Sequence, residues 1–169
     1  KISDITSDGN CLEFKRLDDC LTMPFYDETE PVAEMFDVAE TLNKNLFRVI
    51  NLKPGTYSLW IDEKRIITLD AAQWAAGVNL GRFCFTPEAE QAGKISQLTS
   101  EIQKSEYRKW RQLLCGNISW VGDGADCKPT DAETLKTADK EILFKQNLRK
   151  EALKPVLRTY RLVTSHFKT

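Results

Sequence analysis

A tight turn, two alternating runs and a helix cap, all between Asn51 and Leu80, constrain the fold of this chain more than any other feature. Lys53-Pro54-Gly55 predicts a turn, because proline presets φ at the first central position and glycine accepts the positive φ that the second needs in a type II turn. The flanking runs are therefore predicted to be strands. After the turn, two sets of residues alternate with a period of two, which places them on opposite faces of a sheet: Tyr57, Leu59 and Ile61 against Ser58, Trp60 and Asp62.

A second reversal and a helix follow directly. The polar triplet Asp62-Glu63-Lys64 turns the chain into another strand, Arg65 to Leu69. Asp70 and Gln73 then have the spacing of a capping box, in which the first side chain accepts hydrogen bonds from free N–H groups at a helix start. The predicted helix covers 71–76, and Gly77 is expected to end it in a left-handed conformation.

The N-terminal part contains further strand signals. Residues 2–16 are predicted to form a hairpin across Asp8-Gly9-Asn10, because glycine and asparagine tolerate positive φ. The acidic stretch from Leu17 to Asn45 is predicted to be an irregular loop, and 46–51 to be a strand that enters the Pro54-Gly55 turn. About five strands by residue 69 favour a small antiparallel β-sandwich-like sheet.

The hydrophobic period becomes that of a helix after Thr86. Thr86 as N-cap and Pro87 in the first helical position open a helix predicted over 87–114. Its apolar residues recur at spacings of three, four and their sum, which gives it one apolar stripe: Ile95, Leu98, Ile102, Trp110 and Leu113. We interpret Trp110 as a core residue of this stripe. The alternative is a cation–π or substrate platform with the neighbouring arginines.

A second long helix and a final strand complete the pattern. Thr130 and Glu133 form another capping box, which opens a helix predicted over 131–153. Pro155 ends it, because proline lacks an N–H group and clashes with the preceding turn. Residues 157–165 alternate again and are predicted to be a strand that returns to the sheet.

Together these elements predict an α+β fold. The small antiparallel β-sandwich-like sheet fills 1–69, the helical segment fills 70–156, and 157–165 is the returning strand. At 169 residues the chain is long enough to bury a core without disulfides or metals, so we expect these segments to form one domain.

The charge balance excludes several classes of partner. The sequence has 24 basic and 25 acidic residues, a formal net charge of -1, so we expect no nucleic acid partner. A basic run near the C-terminus is balanced by acidic neighbours and is interpreted as a solvated face: Lys145, Arg149, Lys150, Lys154, Arg158 and Arg161. No run of eighteen apolar residues is present, so no membrane span is expected.

The five cysteines lack the close CxxC spacing of a zinc or redox site, so neither a metal nor another cofactor is expected. They are Cys11, Cys20, Cys84, Cys115 and Cys127. We interpret most of them as unpaired residues in or near the core, where cysteine is common as a small apolar side chain. The alternative is a disulfide between Cys115 and Cys127.

Several blocks of the sequence, in the same order, resemble the region that follows the catalytic domain in secreted bacterial SGNH/GDSL-type lipases and esterases (acylhydrolases). The blocks are Ile2-Ser3-Asp4-Ile5, Phe14-x-Arg16-Leu17-Asp18, Leu52-Lys53-Pro54-Gly55-x-Tyr57-x-Leu59-x-Ile61-Asp62, Gly77-Val78-Asn79-Leu80, Trp110-Arg111 and Pro155-x-x-Arg158-Thr159-Tyr160-Arg161. The resemblance implies a C-terminal accessory domain whose partner is an upstream catalytic SGNH domain of the same precursor. It also implies a periplasmic or secreted location.

The catalytic blocks of that family are missing from this sequence. An SGNH hydrolase needs a serine in a Gly-Asp-Ser turn and an Asp-x-x-His pair that activates it. The nearest approach is Gly122-Asp123-Gly124, with glycine in the serine position. His166 is the only histidine, and Val163 stands where the aspartate would be. We therefore expect a non-catalytic accessory region with no catalytic residue, which by itself is not an enzyme and which supports or orients a catalytic domain.

Two other functions stay open as alternatives. A carbohydrate-binding module would stack aromatic rings on sugars, and the candidates for ligand stacking are Trp60, Tyr57 and Trp120. An autonomous hydrolase built on a pair of carboxylates would draw them from the acidic stretch between Asp18 and Glu40, where solvated carboxylates are the ordinary expectation.

Overall fold

The computed structural model describes residues 1–24, 30–115 and 132–165. The chain divides into two compact units. We call the first, which comprises Lys1–Gly93 and Pro155–Thr169, the sheet unit, and the second, Lys94–Lys154, the helical unit.

The structure contains seven strands and five α-helices within the described residues. The strands, in chain order, are β1 (Ile2–Ser7), β2 (Cys11–Leu17), β3 (Leu46–Phe47), β4 (Thr56–Ile61), β5 (Lys64–Asp70), β6 (Val78–Asn79) and β7 (Leu157–Thr164). The helices are α1 (Glu30–Met35), α2 (Val38–Thr41), α3 (Ala71–Ala76), α4 (Pro87–Cys115) and α5 (Ala132–Ala152), and a 3-10 turn covers Leu80–Arg82.

Five strands form one antiparallel sheet in the order β1-β2-β7-β4-β5. Strand β7 lies in the middle, where Tyr160 is opposite Phe14 of β2 on one side and Ile61 of β4 on the other. Both edges of β7 are therefore hydrogen-bonded within the sheet. This arrangement confirms the predicted α+β fold, with an antiparallel sheet and a C-terminal strand that returns to it.

Two hairpins frame this sheet as predicted. In the β1–β2 turn Gly9 has a φ of 86°, and the Asp8 carboxylate accepts hydrogen bonds from the N–H groups of Asn10 at 3.0 Å and Cys11 at 2.7 Å. These bonds hold the pKa of Asp8 below its usual value, because they favour the charged carboxylate. In the β4–β5 turn Asp62 takes a φ of 53°.

The segment before the Pro54-Gly55 turn differs from its prediction. The strand predicted over 46–51 shortens to β3, which pairs with β6 in a separate two-stranded sheet. The turn therefore does not close a hairpin. The reason is that β5 and β7 occupy both edges of β4, so no edge remains for β3. The stretch predicted as an irregular loop contains the short helices α1 and α2.

Helix α3 has the predicted capping box. The Asp70 carboxylate accepts from the Gln73 N–H at 2.8 Å, and the Gln73 side chain accepts from the Asp70 N–H at 3.0 Å. Gly77 follows the helix with φ 97° and ψ 148°, so its φ is positive as expected but its ψ lies outside the left-handed helical range that we expected. Trp74 of α3 is fully buried and donates its indole N–H to the Tyr57 carbonyl at 3.2 Å.

The core of the sheet unit is rich in aromatic rings. Phe47 stacks against Phe14 and Tyr160, with ring centroids 6.0 Å apart in both pairs, and meets the Trp74 ring edge-on at 5.7 Å. The side chains of Leu59, Ile61 and Leu162 complete the fully buried layer on the inner face of the sheet. Burial of each such side chain contributes about 1.5–3 kcal/mol to folding.

Helix α4 starts in the sheet unit, where the Thr86 hydroxyl accepts from the Ala89 N–H at 3.2 Å and so acts as the predicted N-cap. Thr130, the predicted cap of α5, lies outside the described residues.

In the helical unit, Lys109 pairs with Asp139 at 2.5 Å and Lys145 with Glu101 at 3.4 Å. Trp110 is 56% exposed, so its interpretation as a core residue is wrong. Two helices alone leave part of an apolar stripe uncovered. None of the described helices combines the length and apolar character needed to cross a membrane.

Gly81 provides a test of backbone packing in the sheet unit. A Cβ atom at Gly81 would lie 1.8 Å from the Asn43 carbonyl oxygen. We expect Gly81→Ala to lower the free energy of unfolding by more than about 2 kcal/mol, because the backbone must move to admit the methyl group. Gly93 of α4 is the matched control, since a Cβ there meets nothing within 4 Å. Gly93→Ala should raise the free energy of unfolding by about 0.5–1 kcal/mol. Equal effects of the two variants in urea unfolding would contradict this account.

Candidate functional site

A buried group of charged and polar side chains joins β7 to the start of α4. Glu88 is 4% exposed, and its carboxylate accepts a 2.8 Å hydrogen bond from the Tyr160 hydroxyl. The Arg158 guanidinium lies 3.5 Å from the same carboxylate and donates to Asp62 at 3.0 Å and to the Pro87 carbonyl at 3.1 Å. We call Glu88, Tyr160, Arg158 and Asp62 the Glu88 cluster.

The Glu88 cluster supports the fold. Burial raises the pKa of Tyr160 strongly, and the Glu88 carboxylate raises it further. The phenol therefore stays protonated and acts as a hydrogen-bond donor. Since Arg158 balances the buried Glu88 charge and Glu88 is almost inaccessible, the cluster fastens α4 to the sheet and presents little reactive surface to solvent.

The interpretation of Arg158 as part of a solvated basic face is wrong, because its side chain is 13% exposed. The sequence does contain a signal for this placement. Arg158 shares its position in the strand alternation with Tyr160 and Leu162, whose side chains face the core. A guanidinium on that face needs a buried acceptor. The acceptor Glu88 could not be predicted, because only the tertiary fold brings α4 beside β7.

Arg16 lies directly opposite Arg158 in the sheet. Its Nε donates to Asp18 at 2.7 Å, one terminal nitrogen donates to Asn45 at 2.7 Å, and the guanidinium carbon lies 5.6 Å from the centroid of the Tyr160 ring. Like charges in facing strand positions repel each other, so each arginine has its own acidic partner. Arg16 also lines a cavity of about 250 Å³ together with residues from 20–22 and 42–45.

The predicted stacking residues do not lie together. Tyr57 is buried, and its hydroxyl donates to the Lys53 carbonyl at 2.9 Å, so its ring offers no face to a ligand. Trp60 is half-buried on the other face of β4, with Arg65 and Arg161 as its cross-strand partners. Trp120 lies outside the described residues. Of the two that are described, Trp60 keeps a partly exposed side chain.

Ser58 lies on the same face of β4 as Trp60, within a row of hydroxyl groups. Its Oγ is 2.6 Å from Thr68 Oγ1 and 2.5 Å from Ser165 Oγ. Neither hydroxyl takes up a proton at neutral pH, so neither activates Ser58 as a nucleophile. These hydrogen bonds join β4 to β5 and to the residue that follows β7.

Three of the five cysteines are free thiols: Cys11, Cys20 and Cys84. Burial raises the pKa of Cys11, and the charges of Asp8 and Glu13 add to this effect. The alternative disulfide between Cys115 and Cys127 falls outside the described residues, because Cys127 is not among them. Within the described ranges, no three His, Cys, Asp or Glu side chains group in a way that could hold a metal ion.

The fold has a counterpart among solved structures, although no protein-family model and no curated protein matches the chain. The chain is similar to BT4096, described as a gut microbial diltiazem-metabolizing enzyme, with a TM-score of 0.79 and 25% sequence identity. The similarity covers 98% of this chain and 46% of the BT4096 chain. The chain therefore spans a little less than half the length of the enzyme that it resembles.

This similarity corrects the expectation that the chain is not an enzyme. Nearly its whole length corresponds to part of a protein that is described as an enzyme. A missing Gly-Asp-Ser turn and Asp-x-x-His pair exclude one arrangement of catalytic groups within these residues, whereas an enzyme polypeptide also consists of the regions that position such groups.

The Glu88 cluster predicts a specific pattern of stabilities. Arg158→Ala should lower the free energy of unfolding by about 3–5 kcal/mol, because it leaves the buried Glu88 carboxylate without a cation. Adding Glu88→Gln to that variant should recover part of the loss, because the buried charge disappears. Tyr160→Phe should lower the free energy of unfolding by about 1.5–3 kcal/mol, the usual contribution of a hydrogen bond to a charged group. Chemical unfolding of all variants gives these values, and no recovery in the Arg158→Ala, Glu88→Gln double variant would contradict the pairing.

Proposed function

We propose that this chain is a part of an SGNH/GDSL-type esterase, secreted or periplasmic, and that it supports and orients the domain that carries the serine nucleophile. The observation that carries the proposal is the similarity to BT4096, in which nearly all of this chain corresponds to less than half of an enzyme. More than half of the BT4096 chain lies outside the match, which leaves room there for a further domain.

Ester hydrolysis agrees with the substrate in the name of that enzyme. Diltiazem carries an acetate ester, and an activated serine with an oxyanion hole cleaves this kind of bond. The blocks that resemble SGNH/GDSL proteins fall on elements that form the fold: 57–61 in β4, 77–80 around β6, and 158–161 in β7. This location suits a region whose task is to position another domain.

The sheet unit exposes an apolar segment over residues 32–50, which includes the second part of α1 and all of α2 and β3. Met35 is 80% exposed and Leu42 is 77% exposed. Four further large apolar side chains of this segment are exposed: Val32, Phe36, Leu46 and Ile50. Scattered apolar side chains are ordinary on a surface, but so many within one short stretch are typical of a surface that packs against another domain.

The helical unit has the same property on its own surface. Its exposed aromatic and apolar side chains are Tyr107, Trp110, Leu143, Phe144, Leu148 and Leu153. Tyr107 and Trp110 form a pair with ring centroids 5.7 Å apart. An exposed aromatic pair is a typical anchor of an interface, because it buries a large area at a small cost in conformational entropy.

The coding sequence that flanks this chain gives the first part of the test. We expect it to encode, on the N-terminal side of Lys1, a Gly-Asp-Ser block and an Asp-x-x-His block close to Lys1. The complete protein should hydrolyse p-nitrophenyl acetate and release acetate from diltiazem. An unrelated flanking domain, or no ester hydrolysis by the complete protein, would refute the proposal.

A variant of the apolar segment gives the second part. In the 169-residue chain Met35 is exposed, so Met35→Asp should change the free energy of unfolding by less than about 0.5 kcal/mol. In the complete enzyme the same change places a charge at a packed surface and should lower Tm by at least about 4 °C and reduce esterase activity. Ile5→Asp is the control, because Ile5 is an exposed apolar residue of β1 that lies outside the apolar segment. It should leave the stability of both proteins and the esterase activity of the complete enzyme unchanged. Equal effects of Met35→Asp in both proteins would contradict packing at this segment.

A carbohydrate-binding function is the second candidate, and the position of Trp60 favours it. The half-buried Trp60 lies between two arginines in neighbouring strands, a fixed aromatic ring with hydrogen-bond donors beside it. If this ring binds sugars, Trp60→Ala should abolish retardation of the chain in polysaccharide affinity gels. Trp110→Ala, which removes an exposed tryptophan from the helical unit, should leave retardation unchanged. Unchanged retardation of a folded Trp60→Ala variant would exclude this platform.

A further inference from the structure

The cavity beside Arg16 brings together cationic and polar groups from separate parts of the sheet unit. Its lining comes from the end of β2, from the segment that follows it, and from the segment between α2 and β3. The groups that carry its chemistry are Arg16, Lys44 and Asn45, with Thr22 and Asn43 in the wall and Cys20 at the surface. Among the described residues that line the cavity, none is acidic.

Arg16 is held in place and keeps donors to spare. Asp18 and Asn45 accept two of its five N–H groups, and the Tyr160 ring lies on one side of the guanidinium. The other three N–H groups have no acceptor within the described part of the chain. Fixed guanidinium donors of this kind suit a planar anion, because the two oxygens of a carboxylate match the spacing of the guanidinium fork.

Lys44 adds a second cation to the lining. It is exposed, and it forms no ion pair with any carboxylate that the structure describes. Thr22 also lines the cavity, but its Oγ1 atom is buried and is therefore not available to a ligand there.

The walls of the cavity are fixed before any ligand arrives. The Asn43 side chain accepts from the Met23 N–H at 2.7 Å and donates to the carbonyls of Met23 at 3.1 Å and Gly81 at 2.9 Å. The Asn45 N–H donates to the Asn79 side chain at 2.8 Å. The segment 42–45 is thus bonded to β6 and to the turn after it, and Asn43 also holds Met23, which follows the other lining segment. A preformed site loses little entropy on binding.

We propose that this cavity binds a short-chain carboxylate anion. Arg16 and Lys44 carry two positive charges, Asp18 neutralises one of them, and the remaining charge matches a carboxylate better than a doubly charged phosphate. A volume of about 250 Å³ is smaller than the ~300–1,000 Å³ of sites for drug-sized ligands, so the ligand is small. This inference rests on the cavity alone and does not depend on the esterase proposal.

Nuclear magnetic resonance of the 169-residue chain tests the site with sodium propionate at constant ionic strength. We expect saturable shifts of the backbone amides of Thr22 and Lys44 and of the side-chain amides of Asn43 and Asn45. Lys44→Gln should weaken propionate binding about tenfold, the effect of losing one charge-assisted hydrogen bond. Lys53→Gln removes the same charge from an exposed position outside the cavity and should leave the affinity unchanged. The proposal would be overturned if no saturable shifts appeared or if both variants weakened propionate binding equally. It would also be overturned if inorganic phosphate bound as tightly as propionate.

Thiol reactivity gives a further test of a ligand in the cavity. Propionate should also slow alkylation of Cys20 by iodoacetamide, whereas Cys84, another exposed free thiol, should react at the same rate as before. Equal slowing, or no slowing, of both thiols would count against a ligand in the cavity.

Discussion

The sheet unit depends on the pairing of β7 between β2 and β4. Without β7, the two hairpins share no edge and their apolar faces have no common core. The pairing closes a long stretch of chain, since the hydrogen-bonded Ser58 and Ser165 are 107 residues apart. Loop-closure entropy grows so slowly with length that this costs only about 2 kcal/mol more than closing a ten-residue loop. Burial of Tyr160 and Leu162 offsets that cost at about 1.5–3 kcal/mol each. The helical unit can therefore intervene in the sequence with little thermodynamic penalty.

The same strand creates an electrostatic problem that the fold resolves in two ways. Pairing of β2 with β7 places Arg16 and Arg158 opposite each other on the inner face. Arg158 is surrounded by acceptors, among them Asp62, Glu88 and the first turn of α4, so its donors serve the fold. Arg16 has one acidic partner and one amide, and it faces a cavity. Two arginines in equivalent strand positions thus differ in how far their donors are used, and this difference separates the structural arginine from the candidate binding residue.

Local chemistry made much of this fold predictable. The capping box at Asp70, the N-cap at Thr86 and the hairpin turn at Gly9 depend only on residues near in sequence, and all three are present. Strand pairing depends on which edges remain free, so the short strand β3 could not be placed from the sequence. Alternation separates Tyr57 from Trp60, but it does not say which face is buried, so the burial of Tyr57 could not be predicted. In the cavity, Arg16 and Lys44 are far apart in the sequence, and no local pattern links them, because they come together only through the bonds of Asn43 and Asn45.

The cavity and the apolar segment are neighbours, which connects the two proposals physically. Leu42 belongs to both, since it lines the cavity and is 77% exposed. A domain packed on the apolar segment would therefore also border the cavity and shield it from solvent. Shielding strengthens the attraction between the two cationic side chains and a carboxylate, because water no longer screens it. Trp60 lies on the opposite face of the sheet from Arg16, so a sugar stacked on Trp60 and an anion at Arg16 would occupy separate sites. Carboxylate affinity should thus respond to the presence of a packed domain, whereas binding at Trp60 should not.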